Sequence, residues 1–438
     1  MAVNYFRKPV FISALICCFV FYSGLFVLPQ KYPMRSLVGS EKTGAQIVEI
    51  SGNLITSPAR MGTGSYYSAT LALDCVADAR NISSSARGRV KVYIPSALAE
   101  AYSPGKLFSE ARRARKTFVE KNNALSSRET AVPLFESGGH YVFRGKLTKN
   151  GFYIATCTGS HWKNTPRGRL SHFRALCRLH FKRLMYSWGS GGGLLLALLS
   201  GTKEYTNQET AKAFRLAGLS HILALSGMHL SMFSAIAFFF GNKAGVKKVS
   251  FFLRISALLL FVWFAGFSPS LIRAFICSIL MIASSIAGVK TPDMLCILCF
   301  SFLLQSAVFP DDIYNQAFIF SYSALAGILV FGRFFNFIYA KLFPYQISRA
   351  LSSATGAQTF TAPISLKLFG SASPVGILSS TVISPFITCF IYTGLALIIL
   401  SLIFPVMAKP SGIFINLQYT VINYIVKFFS LAPNWSLT

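Results

Sequence analysis

The residues in this sequence most able to do chemistry are two histidines and two serines in the otherwise apolar stretch 218–230. His221 and His229 lie eight residues apart, close to two helical turns, and Ser226 lies three residues before His229. Polar groups in an apolar span cost free energy unless they pair or face a cavity, so they are candidates for function. Three interpretations stay open: hydrogen bonding within a helical bundle, the lining of a polar passage, or a Ser/His nucleophile.

Hydrolytic chemistry and metal binding have little support in this stretch. The segment from Ala224 to Met228 lacks the first glycine of a G-x-S-x-G elbow, and no obvious acid follows to orient His229. Two histidines without a third ligand make a weak zinc site, and the sequence contains no H-E-x-x-H run. We therefore expect no metal, no cofactor and no enzymatic activity, and keep an intramembrane Ser226/His229 hydrolase as an alternative.

Two arginines, Arg254 and Arg273, also lie within apolar spans. An arginine there costs about 2.5 to 3.5 kcal/mol on insertion scales, so each needs a carboxylate, a carbonyl or a bound anion. Only five Asp or Glu residues occur from Gly191 to Thr438, so a phosphate-bearing ligand competes with an ion pair as the partner. Arg254, near the start of its span, can instead extend its side chain to the membrane interface.

The composition excludes an ordinary soluble enzyme. Of 438 residues, 53% are hydrophobic and only 13% are charged, where globular domains have about a quarter. The 42 Lys and Arg outnumber the 14 Asp and Glu, for a net charge of +28, which implies a polyanion or an anionic surface as partner. So few carboxylates leave little for paired-acid catalysis.

The apolar residues divide the chain into segments. An apolar run from Val10 to Leu28 follows Arg7 and Lys8 and is not followed by an A-x-A cleavage site, which favours a first transmembrane helix over a signal peptide. The positive-inside rule then places the N-terminus in the cytoplasm and the next domain outside. Four segments follow: 1–28 as N-terminus and first helix, 29–169 as a soluble domain, 170–190 as a basic helix, and 191–438 as the membrane part.

The membrane part is nearly continuous apolar sequence. The predicted spans are Gly218–Phe240, Val249–Phe267, Leu271–Gly288, Met294–Phe309, Ala317–Gly332, Ser353–Phe369, Val375–Phe404 and Ile413–Phe429. Pro363, Pro374 and Pro385 are expected to interrupt the later spans, and broken backbone at membrane depth is tolerated only within protein or beside a water-filled cavity.

The soluble segment alternates apolar and polar residues as short strands do. The predicted strands are Tyr66–Val76, Arg89–Pro95, Tyr141–Leu147 and Phe152–Cys157, and a small all-β barrel is the simplest way to close them. A basic insertion is predicted from Phe108 to Leu125. The basic helix from Leu170 to Tyr186 has amphipathic spacing suited to an anionic membrane surface.

Basic and aromatic residues alternate in these strands as a single-stranded nucleic-acid platform requires, since bases stack on rings while cations follow phosphates. The candidate DNA-binding residues are Arg89, Lys91, Tyr93, Tyr141, Phe143, Arg144, Lys146 and Tyr153. The alternation equally permits core aromatics with solvated charges on the other face.

Cys75 and Cys157 are the only cysteines in the predicted barrel, and each lies at the end of a predicted strand. An outward-facing domain in an oxidising compartment favours a disulfide between them.

The membrane part also carries short motifs in a defined order. They are LLSG at Leu198–Gly201, FRLAGLSHILALSGMHL at Phe214–Leu230, GFSPSLIRA at Gly266–Ala274, AFIFSYSA at Ala317–Ala324, and the stretch from Gly356-Ala357-Gln358 to Gly370. Together they resemble the competence proteins of the ComEC type, inner-membrane channels that take up single-stranded DNA in natural transformation. The family usually has Gln at the position of Ile319.

The resemblance implies that the barrel is the family's OB-like domain. The expected fold class is a polytopic α-helical membrane protein with an extracytoplasmic all-β, OB-like soluble domain. Many members add a C-terminal metallo-β-lactamase-like domain; this sequence reaches Thr438 without one, so we expect no nuclease activity. It shows one apolar span before the soluble domain, where relatives often have more.

The resemblance also implies a function at the inner (cytoplasmic) membrane: uptake of single-stranded DNA. The candidates for lining the path are Arg215, His221, Ser226, His229, Arg273 and Gln358. The expected partners are single-stranded DNA and membrane lipids, with a DNA receptor, a cytoplasmic motor and a separate nuclease. The alternative is a transporter or scaffold for other anions, lipid-linked or polysaccharide.

Overall fold

The computed structural model of the chain describes residues 8–23, 47–61, 65–79, 82–99, 134–148, 150–243, 247–289, 291–433 and 435–436. The predicted basic insertion from Phe108 to Leu125 and the end of the first apolar run, residues 24–28, lie outside the described residues. The chain divides into a barrel unit, residues 29–192 with 202–204, and a helical unit formed by residues 1–28, 193–201 and 205–438.

The strands are β1 Ile47–Leu54, β2 Ala59–Arg60, β3 Tyr66–Asp78, β4 Ser83–Pro95, β5 His140–Thr148, β6 Gly151–His161, β7 Ser371–Ala372 and β8 Trp435–Ser436. The helices are α1 Pro9–Tyr22, α2 Ser96–Ala99, α3 Pro166–Ser187, α4 Gly189–Ser200, α5 Gln208–Leu216, α6 Gly227–Lys243, α7 Lys247–Ala265, α8 Pro269–Ile286, α9 Met294–Val308, α10 Gln316–Tyr339, α11 Tyr345–Phe369, α12 Gly376–Ile403 and α13 Ala408–Ser430.

Five strands of the barrel unit form a ring. β1 pairs with β3, β3 with β4, β4 with β6, β6 with β5, and β5 returns to β1. All pairs are antiparallel except β4 with β6, which is parallel. The sequence located β3 to β6, but β4 begins six residues before the predicted Arg89 and β6 ends four residues after the predicted Cys157. It missed β1, although Ile47-Val48-Glu49-Ile50-Ser51 begins with the apolar enrichment of a strand.

Alternate residues of these strands fill the barrel. The fully or nearly buried members of this core include Ile50, Leu54, Leu71, Val90, Val92, Ile94, Tyr141, Phe143, Phe152 and Ile154. Since successive side chains in a strand point to opposite faces, the residues between them lie on the outer surface. This alternation decides which of the predicted DNA-binding residues are accessible.

Helix α3 begins four residues before the predicted helix. Thr165 caps it, accepting a hydrogen bond from the N–H of Gly168 at 3.2 Å. Pro166 occupies the first turn, where the N–H that proline lacks would have no intrahelical acceptor. Its buried residues, Gly168, Ala175, Arg178 and Met185, share one face. The apolar side chains of Leu170, Phe173 and Leu176 are exposed on it.

The helical unit is built around α8, which packs against α6, α7, α9 and α10. Among the described residues, three helices are long and apolar enough to cross a membrane: Pro269–Ile286, Gln316–Tyr339 and Gly376–Ile403. The helices Pro9–Tyr22, Val249–Ala265 and Met294–Val308 are apolar but shorter.

Two of the three prolines do not break the helices as predicted. Pro363 lies inside α11 and Pro385 inside α12, and both helices continue through them. Pro374 does lie between these helices. The predicted span from Gly218 is also corrected: Gly218 has a φ of 72°, and the helix begins only at Gly227. A left-handed residue cannot continue a right-handed helix.

Helix α1 runs parallel to α9. At the start of both helices, the ammonium of Lys8 forms an ion pair with the carboxylate of Asp293. At the end of α1, the hydroxyl of Tyr22 donates to the carbonyl of Ile313, in the connection between α9 and α10, at 2.9 Å. The apolar N-terminal run is therefore an integral part of the helical unit.

Candidate nucleic-acid interface

Three tyrosines from different strands meet on the outside of the barrel. The rings of Tyr93 and Tyr153 stack, with centroids 4.5 Å apart and an interplanar angle of 22°. Tyr66 meets Tyr153 edge-on at 5.5 Å. Tyr93 lies beneath Tyr153 and is only 6% exposed, whereas Tyr66 is 36% exposed. Rings arranged in this way offer faces and edges on which further planar groups can stack.

Cations flank these rings. The Lys91 ammonium lies 5.5 Å from the centroid of the Tyr93 ring, and Lys146 stands directly opposite Tyr153 in the β5–β6 register. Arg89 is two residues before Lys91 on the same strand, and all three basic side chains are exposed. We call the set Tyr66, Arg89, Lys91, Tyr93, Lys146 and Tyr153 the aromatic-basic face. It combines stacking surfaces with positive charge, as single-stranded nucleic-acid binding requires.

The guanidinium of Arg144, a further predicted DNA-binding residue, is engaged in an ion pair. Its Nε donates to Oε2 of Glu49, the residue opposite it in the β1–β5 register. The prediction for Arg144 therefore has less physical support than that for Lys146.

The structure corrects the prediction for Tyr141 and Phe143. Both are in the barrel core, 1% and 0% exposed, because they alternate with the outward-facing residues of β5. Tyr141 has a structural task, since its hydroxyl donates to the carbonyl of Leu134 at 2.6 Å and accepts from the N–H of Glu136 at 3.2 Å. Sequence reasoning missed Tyr66, which its place at the start of a strand could have signalled.

The predicted disulfide is also corrected, because Cys75 and Cys157 are free thiols. Cys75 is on β3 and Cys157 on β6, and these strands are not neighbours in the ring. Each thiol instead donates to a nearby backbone carbonyl: Cys75 to that of Val76 at 3.8 Å, and Cys157 to that of Gly159 at 3.5 Å. Burial raises the pKa of Cys157 to about 12, which disfavours the thiolate that disulfide formation needs.

A buried charge cluster joins α3 to the barrel within the same unit. Oε1 of Glu136 accepts from Nε of Arg178 at 3.3 Å and from Nζ of Lys182 at 3.4 Å, and Ser57 donates to Oε2. Burial by itself raises the pKa of Glu136, but the charges of Arg178 and Lys182 and the Ser57 hydroxyl lower it to about 2. The glutamate is thus ionised at any physiological pH.

In the helical unit, Ser226 and His229 are in contact at the start of α6. The Ser226 hydroxyl lies 3.3 Å from Nδ1 of His229, and the Ser226 N–H donates to the same nitrogen at 3.2 Å. His229 is completely buried, and among the described residues its Nε2 has no hydrogen-bond partner. A Ser/His/acid arrangement needs an acid on the second ring nitrogen. The contact is therefore a capping interaction of the first turn, with no orienting acid in the described part of the chain.

Arg273 reaches the same place from α8. A Cβ placed on Gly227 would lie 3.3 Å from Nη2 of Arg273 and 3.2 Å from Cβ of Ala274, so the glycine permits this close approach. The structure thus brings Ser226, His229 and Arg273 together around the amino end of α6.

The other three predicted path residues lie elsewhere in the helical unit. Gln358 donates from Nε2 to the carbonyl of Ser373 at 3.1 Å, in the connection between α11 and α12. Arg215 and His221 are exposed on either side of Gly218.

A buried polar network next to Arg273 was not predicted from the sequence. The Tyr322 hydroxyl lies 2.8 Å from that of Ser301 and donates to Oε1 of Gln305 at 3.0 Å. Nε2 of Gln305 donates to the carbonyl of Pro269 at 3.1 Å and to Asp312 at 3.2 Å. The network ties α9 and α10 to the first turn of α8, one turn before Arg273.

The family match to this chain lies mainly in the helical unit. The sequence model of the family described as "Competence protein" matches residues 198–438. An uncharacterized protein of Aquifex aeolicus (strain VF5) is 30% identical over 241 residues, 54% of this chain and 53% of that relative. ComE operon protein 3 of Bacillus subtilis (strain 168) is 25% identical over 203 residues, 46% of this chain and 25% of that relative. The chain therefore spans about half of the first relative and a quarter of the second. No solved structure matches the chain.

Proposed function

The chain belongs to the competence protein family, and from that premise we propose that it is an inner-membrane channel for the uptake of single-stranded DNA in transformation. The similarity to ComE operon protein 3 supports a role in competence, and the three long apolar helices support a polytopic membrane protein. The matched residues lie almost wholly within the helical unit, so the role of the barrel is argued from its own geometry.

The strand order of the barrel supports an OB-like fold. In chain order its five ring strands are β1, β3, β4, β5 and β6, and the ring connects them first to second, second to third, third to fifth, fifth to fourth, and fourth to first. A five-stranded Greek-key barrel is the form in which OB domains bind oligonucleotides. We assign the barrel to the extracytoplasmic side, because Lys8 at the start of α1 favours a cytoplasmic N-terminus.

The observation that carries the proposal is the aromatic-basic face. Tyr66 and Tyr153 provide ring surfaces for bases, and Lys91 and Lys146 provide charges for phosphates. Stacking on aromatic rings requires unpaired bases, so this face would select a single strand over a duplex. The strand would then pass to the helical unit, where the family match lies.

The exposed apolar side chains of Leu170, Phe173 and Leu176 on α3 support a place for this helix at the membrane surface. A receptor that delivers DNA, a cytoplasmic motor and a separate nuclease remain the partners that the family membership suggests.

The test is the binding of labelled single-stranded and double-stranded DNA to the full chain in lipid nanodiscs over a salt series. We expect single-strand preference and affinity that falls steeply with salt, because phosphate contacts release counterions. Tyr153→Ala should weaken single-strand binding by one stacking contact, about 1 to 3 kcal/mol, while Tyr153→Phe should retain it.

Lys146 and Arg144 form a matched pair of variants on one strand. Lys146→Gln should lower the affinity for single-stranded DNA and the magnitude of its salt slope, whereas Arg144→Gln should have less effect because Arg144 is paired with Glu49.

A folded chain that binds no single-stranded DNA, or binds it independently of salt, would contradict the proposal. Effective competition by anionic polysaccharide or lipid-linked anions in place of DNA would favour the alternative substrate.

A further inference from the structure

Two buried donors at the start of α6 have no acceptor among the described residues: Nε of Arg273 and Nε2 of His229. Nδ1 of His229 accepts the Ser226 N–H, so the proton of the neutral ring is on Nε2. Both atoms are therefore hydrogen-bond donors. Buried donors normally have partners, so two donors left open at one helix end favour an acceptor from outside the described residues, such as a bound ligand.

The surroundings of these donors are positive. The Arg273 guanidinium lies against Gly227, the first residue of α6, and the amino end of a helix carries partial positive charge and free N–H groups. Arg273 forms no ion pair with any described residue of the unit. Two of the unit's few carboxylates are engaged elsewhere, Asp293 with Lys8 and Asp312 with Gln305.

The position of Arg273 is held by the buried polar network. Gln305 is completely buried and hydrogen-bonds to the Pro269 carbonyl in the first turn of α8, and Tyr322 in turn holds Gln305. This arrangement restrains the turn from which Arg273 projects towards α6. Gln305 and Tyr322 are positioning residues because they act through Arg273.

We propose that Arg273, His229 and the amino end of α6 form a binding site for one phosphodiester group of the transported strand. The guanidinium supplies charge and directed donors, and the imidazole Nε2–H supplies a neutral donor. The site binds the backbone and does not read bases. This inference rests on the proposed function and specifies where in the helical unit the strand is held.

The probe is a fluorescent abasic phosphodiester oligomer, which lacks bases and so cannot stack on the aromatic-basic face. Its binding to the full chain is measured in phosphatidylcholine nanodiscs over a salt series. Arg273→Gln should weaken binding about tenfold and reduce the magnitude of the salt slope by about 0.7, the value for one phosphate contact on a single strand. Arg273→Lys should retain most of the slope.

Arg254→Gln is the matched control. Arg254 also lies in an apolar helix, but its Nε donates to Ser234 at 3.4 Å and its guanidinium lies 5.3 Å from the Phe238 ring centroid. This variant should change neither affinity nor slope. An equal effect of both variants would contradict a specific site.

A second readout is the ¹⁵N spectrum of histidine in the same preparation. The Nε2–H signal of His229, assigned with His229→Gln, should shift on addition of the oligomer to the wild type and not to Arg273→Gln. If adding phosphatidylglycerol to the nanodisc produces the shift and blocks the oligomer, the site belongs to a lipid headgroup and the proposal is wrong.

The outcomes separate this inference from the proposed function. Unchanged oligomer binding by Arg273→Gln, with single-stranded DNA still bound through Tyr153, would overturn the phosphate site alone. Absence of single-strand binding by the wild-type chain would overturn the proposed function.

Discussion

Nε of Arg178 donates to Oε1 of Glu136 at 3.3 Å, and both side chains are almost completely removed from water. The pair joins α3 to the loop before β5, and Arg178 also donates to Thr202 at 3.3 Å. A buried ion pair adds stability only when its hydrogen bonds are satisfied. Here Lys182 and Ser57 also donate hydrogen bonds to the carboxylate of Glu136, so the helix has one defined position on the barrel.

Removing the charge of Glu136 is expected to loosen α3. Glu136→Gln leaves Arg178 buried without its counter-charge, which typically costs about 3 to 5 kcal/mol. Hydrogen exchange of the full chain should show faster exchange of the α3 and β5 amides. Arg183→Gln, a change of an exposed cation on the same helix, should leave their exchange within experimental error of the wild type. Equal protection in Glu136→Gln would mean that the pair is not the anchor.

The same glutamate predicts acid sensitivity of the barrel unit. Its pKa is about 2 in the folded chain against an ordinary 4.5, so the unfolded state binds the proton more readily. The stability it contributes is present above about pH 4.5 and is lost as the pH falls towards 2. Exchange rates of α3 amides measured from pH 6 to 3, corrected for intrinsic rates, should rise in the wild type more than in Glu136→Gln. If the exchange rates of both proteins changed with pH in the same way, Glu136 would not be the source of the acid sensitivity.

Tyr141 and Tyr153 should differ in what their substitution changes. Tyr141→Phe removes the hydrogen bonds to the 134–136 loop and should cost about 0.5 to 1.5 kcal/mol of barrel stability, with little change in single-strand binding. Tyr153→Ala should instead weaken single-strand binding and change the stability of the barrel little. Melting of the barrel unit and DNA titration of both variants measure the two effects, and loss of DNA binding in a folded Tyr141→Phe chain would place the interface elsewhere.

Cys75 and Cys157 should be recovered as free thiols. Peptide mapping without reduction, after blocking thiols in the unfolded chain, should find both cysteines alkylated. In the folded chain Cys157 should react slowly, since burial raises its pKa to about 12. A peptide pair linked through Cys75 and Cys157 would show that β3 and β6 approach each other in a way that this structure does not have.

The ion pair between Lys8 and Asp293 should control the docking of α1. Lys8→Asp places two like charges at the start of α1 and α9 and should lower the thermal stability of the helical unit. The double variant Lys8→Asp/Asp293→Lys should restore much of it, because the pair is re-formed with its signs exchanged. The melting temperature in detergent measures both, and an additive loss in the double variant would show that the two side chains do not interact.

The sequence predicted what depends on local pattern. Alternation and β-branched residues located β3 to β6, and continuous apolar runs located most helices from α7 onwards. It could not locate the start of α6, because the apolar run from Gly218 to Phe240 gives no sign that Gly218 adopts a φ of 72°. The continuous helices through Pro363 and Pro385 show the same limit, since flanking helices can support a proline within a helix.

The candidate sites divide in the same way. The sequence by itself determined that Tyr93, Tyr141, Phe143 and Tyr153 lie in strands with interspersed cations, but either face of those strands could have been the core. Only the closing of the ring decided it, by turning Tyr141 and Phe143 inward and leaving Tyr153 outside. Likewise, the sequence placed His229 and Arg273 in apolar segments, and only the packing of α8 on α6 brought Arg273 against Gly227. Side-chain period is a local property, whereas the direction a face points and the partner it meets are set by contacts between segments far apart in the chain.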